Sequence, residues 1–372
     1  MNFIPVNEPL LNGNEKKYLS ECIDTGWISS EGPFVKKLEE EFATYSGAKY
    51  ATTVSNGSAA LDLAIKALKE VYNFQNNDEI ILPDFTIISS AQSIVYNGLK
   101  PVFIDSEPIT WNMDTSKIEE RITPRTKAIM AVHIYGLPTD MAPILALAKK
   151  YNLKIIEDAA QAHGQSYANS KCGSIGDIAT FSFYANKHIT CGEGGMVMTS
   201  NEQLFEKCKY FKNLCFEKER FVHNNLGWNF RMSNLQAAVA YAQFEKLENH
   251  ITIKKQMGAK YQELLNSIPA QLPCPSKDYA QNHYWVFGLV LDDDVPFNAK
   301  DAIKALAKQG IGTRPFFRPM RMQPVFQKMD LIDKNQNPIA KRLYERGFYI
   351  PSGLNLTDEK IEYVATKLKE LF

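Results

Sequence analysis

The chain has no excess of charge of either sign, since 42 Lys and Arg residues balance 42 Asp and Glu residues among 372 residues. A protein that binds nucleic acid through a broad basic surface carries a clear positive excess. The balance argues against that class of protein. It leaves room for a local basic pocket, such as one that binds a phosphorylated small molecule.

Cysteine is scarce: the six cysteines form no C-x-x-C pair, and the six histidines show no metal-ligand spacing. Scattered cysteines are typical of free thiols in a reducing compartment. The N-terminal MNFIPVNEPL has no basic run followed by an apolar core, so we expect no signal peptide. No apolar stretch approaches the ~20 residues that span a bilayer. We therefore expect a cytoplasmic protein that uses neither a metal nor a membrane.

Repeats, low-complexity tracts and Pro/Gly-rich linkers are also missing, and short apolar strands alternate with helical patterns from about residue 48 to about residue 200. This alternation predicts an α/β fold with a mostly parallel sheet covered on both faces. Ligands gather at the carboxyl ends of the strands in such sheets, so functional residues are expected there. The predicted strands are Tyr50–Val54, Glu79–Leu82, Pro101–Ile104, Lys127–His133, Leu153–Asp158, Ile178–Tyr184 and Gly195–Thr199.

Other segments frame this sheet. An irregular stretch, Thr25–Pro33, precedes it, and a long helix from Asn234 to about His250 is expected to lead away from it. We predict a large domain at 1–245 and a smaller α+β domain at 246–372. The remaining predicted elements are the helices Asn14–Asp24, Ser58–Glu70, Ala142–Lys150, Asp301–Lys308 and Asp358–Leu371 and the strand His283–Leu291.

The first predicted strand runs into Ser55-Asn56-Gly57-Ser58 and then into a helix. Gly57 lets the backbone come close to a ligand, and Ser58 is a favourable N-cap. The free N–H groups of a helix N-terminus suit a phosphate. Taken alone, this motif is more often a plain strand–turn–helix with a capping serine.

Two later strands lead to ionisable side chains. Asp158 ends the strand in LKIIEDAAQAHG, where a carboxylate aimed into the cleft would keep a ring nitrogen protonated. Lys187 follows the strand that contains Ser182, and partial desolvation there makes a nucleophilic amine available. Taken alone, such an aspartate is more often a turn residue, and most lysines lie on the surface. We expect His163 to be packed, or to support a residue of the site, rather than to act as a catalyst, and we assign no catalytic role to His188.

A fourth motif, LGWNFRMSNLQAA, places Asn229 and Arg231 just before the predicted long helix. Polar and cationic groups at such a position suit an anion. The alternative is a solvated turn in which Ser233 caps the helix.

Together and in this order, the motifs resemble the DegT/DnrJ/EryC1/StrS family of sugar aminotransferases, which are fold-type I pyridoxal-phosphate (PLP) enzymes. The resemblance covers nearly the whole chain and is most specific around Lys187. It rests on GWISSEGPFVKKLEEEFA, SNGSAALDLAI, LPDFTIISSA, AVHIYGLPTDM, IIEDAAQAHG, FSFYANKHITCGEGGMVMT and LGWNFRMSNLQAA.

The resemblance implies catalytic and ring-binding roles for three residues. Lys187 corresponds to the lysine that holds PLP as a Schiff base, and Asp158 to the aspartate that pairs with the pyridine nitrogen. Gln161 corresponds to the residue near the 3-hydroxyl of the cofactor.

The resemblance also implies how the phosphate is bound. Gly57, Ser58 and Ser182 correspond to residues that contact the PLP phosphate. Asn229 corresponds to an asparagine that reaches the phosphate of the neighbouring subunit's cofactor, which implies a homodimer.

Two positions depart from the family pattern. Ile87 stands where an aromatic residue often stacks on the cofactor ring, so only aliphatic packing is expected there. In Pro319-Met320-Arg321-Met322-Gln323-Pro324, Arg321 replaces the histidine of P-x-H-x-Q-P and puts the substrate assignment in doubt.

The function implied by the resemblance is transfer of an amino group from L-glutamate to a 4-keto-6-deoxy nucleotide sugar, most specifically GDP-4-keto-6-deoxymannose, which would give GDP-perosamine. Trp27, Ser29, Arg231 and Arg314 are the predicted substrate contacts, and Arg318 flanks the same cleft. Arginine matches phosphate geometry, although these arginines could equally make structural ion pairs.

Other functions stay open. The acceptor could be another nucleotide-linked sugar or a small keto compound, and the aminated carbon could be C3 or C4. A PLP-dependent sugar dehydratase is disfavoured, because such relatives carry histidine where this chain has Lys187. A non-catalytic regulator is disfavoured by the intact pair of Lys187 and Asp158.

Overall fold

The computed structural model describes residues 3–219 and 221–372. Within these ranges the helices lie largely where an apolar stripe recurs at helical spacing. The α-helices are α1 (Glu15–Thr25), α2 (Pro33–Ser46), α3 (Gly57–Val71), α4 (Ile88–Tyr96), α5 (Met141–Tyr151), α6 (Glu202–Lys212), α7 (Asn234–Phe244), α8 (Leu247–Leu265), α9 (Ala299–Lys308), α10 (Pro324–Lys328), α11 (Pro338–Arg346) and α12 (Asp358–Lys369).

The strands include all seven that the sequence predicts for the large sheet, with end shifts of one or two residues. They are β1 (Tyr50–Val54), β2 (Glu79–Pro83), β3 (Lys100–Ile104), β4 (Thr126–Val132), β5 (Lys154–Asp158), β6 (Ser166–Tyr167), β7 (Ser170–Lys171), β8 (Ile178–Ser182), β9 (Gly195–Thr199), β10 (Ala270–Gln271), β11 (Ser276–Lys277), β12 (Ala280–Gln281), β13 (Phe287–Leu291), β14 (Arg314–Pro315) and β15 (Gly347–Ile350).

The large sheet has seven strands in the order β1-β9-β8-β5-β4-β2-β3. Only β9 runs against its neighbours, and β2, β3, β4, β5 and β8 pair in parallel, so the prediction of a mostly parallel sheet is confirmed. Alternate residues of one strand enter different cores: Ile80 and Leu82 pack with α3 and α4, whereas Ile81 packs with α5. Burial on both faces explains why these strands read as continuous apolar runs.

The parallel strands deliver their carboxyl ends to one edge of this sheet. Asp158 is the last residue of β5, Ser182 is the last residue of β8, and Val54 ends β1 opposite Gly195 of the reversed strand β9. The predicted motifs therefore meet at a single edge, although they are separated along the chain.

A second sheet, in the order β10-β13-β15-β14, lies in the C-terminal part of the chain. Its strands are antiparallel and pack with α8, α9 and α12 around Leu289 and Phe348. The core of the large sheet continues into this region, because Trp285 and Phe316 belong to the same apolar cluster as Val54. The domain division at residue 245 stays a prediction.

The predicted long helix from Asn234 to His250 is wrong, because α7 ends at Phe244 and α8 begins at Leu247. Lys246 leaves helical geometry, with φ −104° and ψ 2°. The two helices also have different neighbours: α7 packs on α1 and α2, whereas α8 packs on α12. One straight helix could not serve both contacts, so the chain bends between them.

The predicted strand His283–Leu291 starts later than expected, at Phe287. The preceding residues bind a loop of the large sheet instead, where the His283 N–H donates to the Gly136 carbonyl at 3.0 Å. In the described parts of the chain, no helix is both long enough and apolar enough to cross a membrane.

Candidate active site

A cavity of about 600 Å³ opens at the carboxyl edge of the large sheet. One wall comes from the strand ends and the loops that follow them, and the other comes from the C-terminal part through Trp285, Phe317 and Tyr349. The sequence-predicted residues that line it are Gly57, Ser58, Asp158, Gln161, Ser182 and Lys187.

Lys187 lies in the turn after β8, where its N–H donates to the Tyr184 carbonyl at 2.9 Å. Its Nζ atom lies 3.9 Å from the centroid of the Trp285 ring. Burial lowers the pKa of the Lys187 amine to about 7, while the charge of Asp158 acts in the opposite direction. A large share of this lysine is therefore an unprotonated, nucleophilic amine near neutral pH.

Asp158 is 2% exposed and accepts two hydrogen bonds. The Ser90 hydroxyl donates to it at 2.9 Å and the Ala160 N–H at 3.2 Å. Burial raises the pKa of the Asp158 carboxyl, whereas these donors and the Lys187 charge oppose the rise. Among the described residues no cationic side chain forms a salt bridge with it. A protonated ring nitrogen brought to this carboxylate would be stabilised strongly by the low local dielectric.

The start of α3 forms the part of the cavity that suits an anion. The N-cap is Asn56 rather than the expected Ser58, since the Asn56 side chain accepts from the Ala59 N–H at 2.8 Å. Asn56 has the extended backbone of an N-cap, whereas Ser58 already lies inside the helix. The hydroxyl of Ser58 contacts that of Ser89 at 2.8 Å.

Gly57 permits a close approach between α3 and β8. A Cβ atom on Gly57 would lie 2.7 Å from the Cβ of Ser182, which is closer than real Cβ contacts. The absence of a side chain therefore brings the Ser182 hydroxyl and the first N–H groups of α3 to one place. This cradle fits a phosphate group.

Gln161 is almost fully buried, and its side-chain oxygen accepts from the Tyr135 N–H at 2.8 Å. This hydrogen bond fixes the orientation of the amide group. The side-chain nitrogen of Gln161 donates no hydrogen bond to the described residues, so it is available to a ligand. A hydrogen bond to a ring hydroxyl is compatible with that arrangement.

Three predicted residues lie elsewhere in the single chain. Asn229 is exposed and accepts from the Arg231 Nε at 2.9 Å, and neither lines the cavity. Ser233 caps α7 through a capping box with Gln236, as the alternative for this motif expected. Arg314 is exposed and pairs in the small sheet with Tyr349, which does line the cavity.

Trp27 and Ser29 also lie outside the cavity lining. The Trp27 carbonyl accepts a hydrogen bond from the Asn234 side chain at 2.7 Å, and the Ser29 carbonyl accepts one from the Asn234 backbone N–H at 2.8 Å. The exposed segment that carries them is thereby attached to the start of α7, and their side chains remain available to a ligand or a second chain.

The two departures from the family pattern have different surroundings. Ile87 lines the cavity and is 41% exposed. Arg321 does not line it, because its guanidinium forms ion pairs with Asp84, at 3.8 Å, and with Asp333, at 3.0 Å. The arginine is thus engaged in structural ion pairs in the folded chain.

His163 is fully buried, between the rings of Phe181 and Phe183, as expected for a packed histidine. Burial, together with the charge of Lys187, lowers its pKa to about 3. It stays neutral at physiological pH and therefore adds no charge near Lys187.

Among the residues of the site that were not singled out from the sequence are Ser90 and three aromatic residues, Trp285, Phe317 and Tyr349. Ser90 had one usable signal, since DFTIISSA belongs to the family resemblance and places a hydroxyl early in α4. The three aromatic residues had none, because apolar strands and loops rich in aromatics are usually core.

Known proteins resemble this chain over nearly its whole length. The model of the DegT/DnrJ/EryC1/StrS aminotransferase family matches residues 9–369. GDP-perosamine synthase of Escherichia coli O157:H7 is 40% identical over 373 residues, covering 100% of this chain and 99% of the relative. EpsN of Bacillus subtilis, whose name describes a pyridoxal phosphate-dependent aminotransferase, is 31% identical over 99% of this chain and 96% of its own. The X-ray structure of an aminotransferase from Psychrobacter cryohalolentis matches with a TM-score of 0.92 at 28% identity, over 100% of this chain and 98% of that one.

Proposed function

The chain belongs to the DegT/DnrJ/EryC1/StrS aminotransferase family, and we propose that it transfers an amino group from L-glutamate to GDP-4-keto-6-deoxymannose, giving GDP-perosamine. It is a PLP-dependent aminotransferase. The observation that carries the proposed reaction is the depressed pKa of the Lys187 amine in the same cavity as the buried Asp158 carboxylate.

The residues present fit PLP. The cradle that lacks a Cβ at Gly57 would hold the phosphate, with the hydroxyls of Ser58 and Ser182. Asp158, a buried carboxylate without a salt bridge among the described residues, would hold the protonated ring nitrogen, and Gln161 the 3-hydroxyl. When bound, PLP supplies an electron sink for the carbanion formed at the amino-bearing carbon.

The catalytic work of the chain falls to two side chains. The unprotonated amine of Lys187 would hold the cofactor through its aldehyde carbon, with water as the leaving group. Once the amino donor has displaced it, the Lys187 amine would move a proton between Cα of the donor and C4′ of the cofactor. A pKa near 7 serves both roles, since neither protonation state is rare at neutral pH. Asp158 would keep the ring nitrogen positive throughout. Two half-reactions follow in turn, so ping-pong kinetics are expected.

The acceptor is proposed from similarity and from charge. GDP-perosamine synthase is the name of a relative that aligns over the whole chain at 40% identity. Arg314 and Arg318 are exposed on either side of the cavity-lining Phe317 region, and neither makes a salt bridge within the described part of the chain. Both arginines adjoin cavity-lining residues, since Arg314 pairs with Tyr349 and Arg318 follows Phe317, and exposed guanidinium groups suit a nucleoside diphosphate.

The acceptor is tested by offering GDP-4-keto-6-deoxymannose and dTDP-4-keto-6-deoxyglucose separately, each with L-glutamate, and detecting the amino sugar by mass spectrometry. We expect turnover of the GDP sugar with a clear preference over the dTDP sugar. A preference for the dTDP sugar would reject the GDP acceptor and leave the transaminase intact. Turnover of neither, together with turnover of a small keto compound, would reject the nucleotide sugar.

We propose a homodimer with shared active sites as the working form. Asn229 is exposed and outside the cavity of its own chain, which leaves it available to a second chain. Mixing Asn229→Ala with Lys187→Ala chains should restore activity, because each mixed dimer would contain one intact site. A fully active monomer in light scattering would contradict the proposal.

A further inference from the structure

Trp285 joins the C-terminal part of the chain to the catalytic lysine. Its ring lies 3.9 Å from Lys187 Nζ, measured to the centroid. Its indole N–H donates at 2.8 Å to the carbonyl of Asn186, the residue before Lys187. The same side chain therefore contacts both the lysine amine and the backbone that carries the lysine.

The carbonyl of Trp285 is bound by a buried lysine that the proposed chemistry does not use. Lys254 of α8 is 2% exposed, and its Nζ donates to the Trp285 carbonyl at 2.9 Å and also to the Ser352 carbonyl. Among the described residues no carboxylate pairs with it. Burial lowers the pKa of Lys254 to about 7. Burial of a lysine without an acidic partner costs free energy, and the hydrogen bonds to the two carbonyls offset part of that cost.

A third contact positions the segment that begins with Tyr284. Gly136, at φ +106°, lies so close to this segment that a Cβ atom on it would lie 2.6 Å from the backbone nitrogen of Trp285. The backbone of the large-sheet loop and that of Tyr284-Trp285 are thus in direct contact. Trp285 is therefore held at three points: its backbone packs on Gly136, its carbonyl accepts from Lys254, and its indole N–H donates to Asn186.

We propose that Trp285 is an active-site residue whose ring face stabilises the ammonium form of Lys187, and that Lys254 is the positioning residue that holds the ring there. The face of an indole ring carries negative charge and attracts a cation, most strongly away from water. The contact offsets part of the burial cost and keeps both protonation states of Lys187 accessible. The inference rests on the proposed function only in taking Lys187 as the reacting amine.

Other titratable groups also lie near Lys187. Asp158, Glu193, Tyr184 and Tyr349 line the same cavity as Lys187, and the charge of Lys187 contributes to the lowered pKa of His163. None of them is changed in the variants below, so they are a constant background in the comparison of variants.

The test uses the full-length apoenzyme and needs neither sugar nor amino donor, so its outcome is independent of the acceptor. Brief acetic anhydride labelling at a series of pH values, followed by peptide mapping, gives the pKa of the Lys187 amine from its acylation rate. Trp285→Leu removes the ring and stays apolar, and we expect a pKa lower by about one pH unit. Trp285→Phe keeps a ring face, and we expect a change of less than about half of that. An unchanged or raised pKa in Trp285→Leu would overturn the role of Trp285.

Lys254 is tested by the same measurement. Lys254→Met should lower the pKa of Lys187 in the same direction by a smaller amount, and should cause no further change when Trp285→Leu is already present. Lys254→Gln is measured beside it, since an amide keeps one donor for the carbonyl and is expected to fall between wild type and Lys254→Met. Lys255→Met, on the next residue of α8, is the matched control and should leave the value unchanged. Additive effects of Lys254→Met and Trp285→Leu, or no effect in either Lys254 variant, would overturn the positioning role.

Discussion

The two walls of the cavity differ in how they are built. The wall at the sheet edge is polar, and its main residues each end a strand or begin a helix: Gly57, Asp158 and Ser182 are examples. The wall from the C-terminal part is aromatic, and Trp285 and Phe317 belong to loops outside the regular elements. If the proposed roles are correct, the reacting groups lie on one wall, while the other wall sets the shape and dielectric of the cavity.

The strongest test of this division is loss of the amine itself. Lys187→Ala should reduce turnover by about 1,000-fold or more, because nucleophile and proton carrier disappear together. The phosphate cradle and Asp158 remain, so the variant should still bind the cofactor in its amine form. Lys149→Ala, which changes an exposed lysine on α5, is the matched control. Turnover within tenfold of wild type would show that the chemistry lies elsewhere.

A second test removes the charge on the same wall. Asp158→Asn keeps the shape of the side chain but no longer favours a protonated ring nitrogen, so kcat/KM should fall by about 100-fold. Steady-state kinetics at saturating PLP measure this effect, with Asp301→Asn on the exposed start of α9 as the control. Wild-type kinetics in Asp158→Asn would argue against a catalytic role for the carboxylate.

The third prediction concerns Arg321, in the C-terminal part of the chain that supplies the aromatic wall. Arg321 pairs with the fully buried Asp84, whose pKa is raised to about 6 mainly by burial. Arg321→Ala should lower the free energy of unfolding by about 2–3 kcal/mol, because the buried Asp84 carboxylate loses its cationic partner and keeps only the hydrogen bonds from Asn337 and from the backbone N–H of residue 321. The turnover should stay within about threefold of wild type. Arg342→Ala, which breaks an exposed pair with Asp293, should cost less than about 1 kcal/mol.

Urea unfolding followed by circular dichroism measures both stabilities. If Arg321→Ala lost acceptor turnover at unchanged stability, the arginine would be a substrate group. The C-terminal wall would then carry recognition as well as shape.

The last prediction concerns the pH dependence of stability and involves His163, which packs against Phe181 and Phe183. Its pKa in the folded chain is about 3, below the ordinary value near 6.5, so the unfolded chain binds one more proton between these values. The stability contributed by the neutral ring is therefore complete above about pH 6.5 and is lost as the pH falls towards 3. His163→Gln should reduce the slope of unfolding free energy against pH by up to about 1.4 kcal/mol per pH unit in this window. His223→Gln, an exposed control, should leave more of that slope in place.

Much of the fold could be read from the sequence because its signals are local. Seven apolar runs of strand length predicted the large sheet, and the residues at their ends predicted where a ligand would bind. Short-range pattern failed where a boundary depends on distant partners. The bend between α7 and α8 arises from contacts with α1, α2 and α12. The residues around Lys246 include no glycine or proline that would predict it.

The sequence by itself determined the sheet, the edge at which Asp158 and Lys187 meet, and membership of a PLP-dependent family, because alternating burial and strand-end motifs are written in neighbouring residues. Only the tertiary structure decided that Arg321 pairs with Asp84 and that the indole of Trp285 lies against Lys187. Asn186 and Trp285 are 99 positions apart, and the hydrogen bond between them depends on how two sheets dock. Docking is the sum of many weak packing contacts, so no single stretch of sequence can specify it.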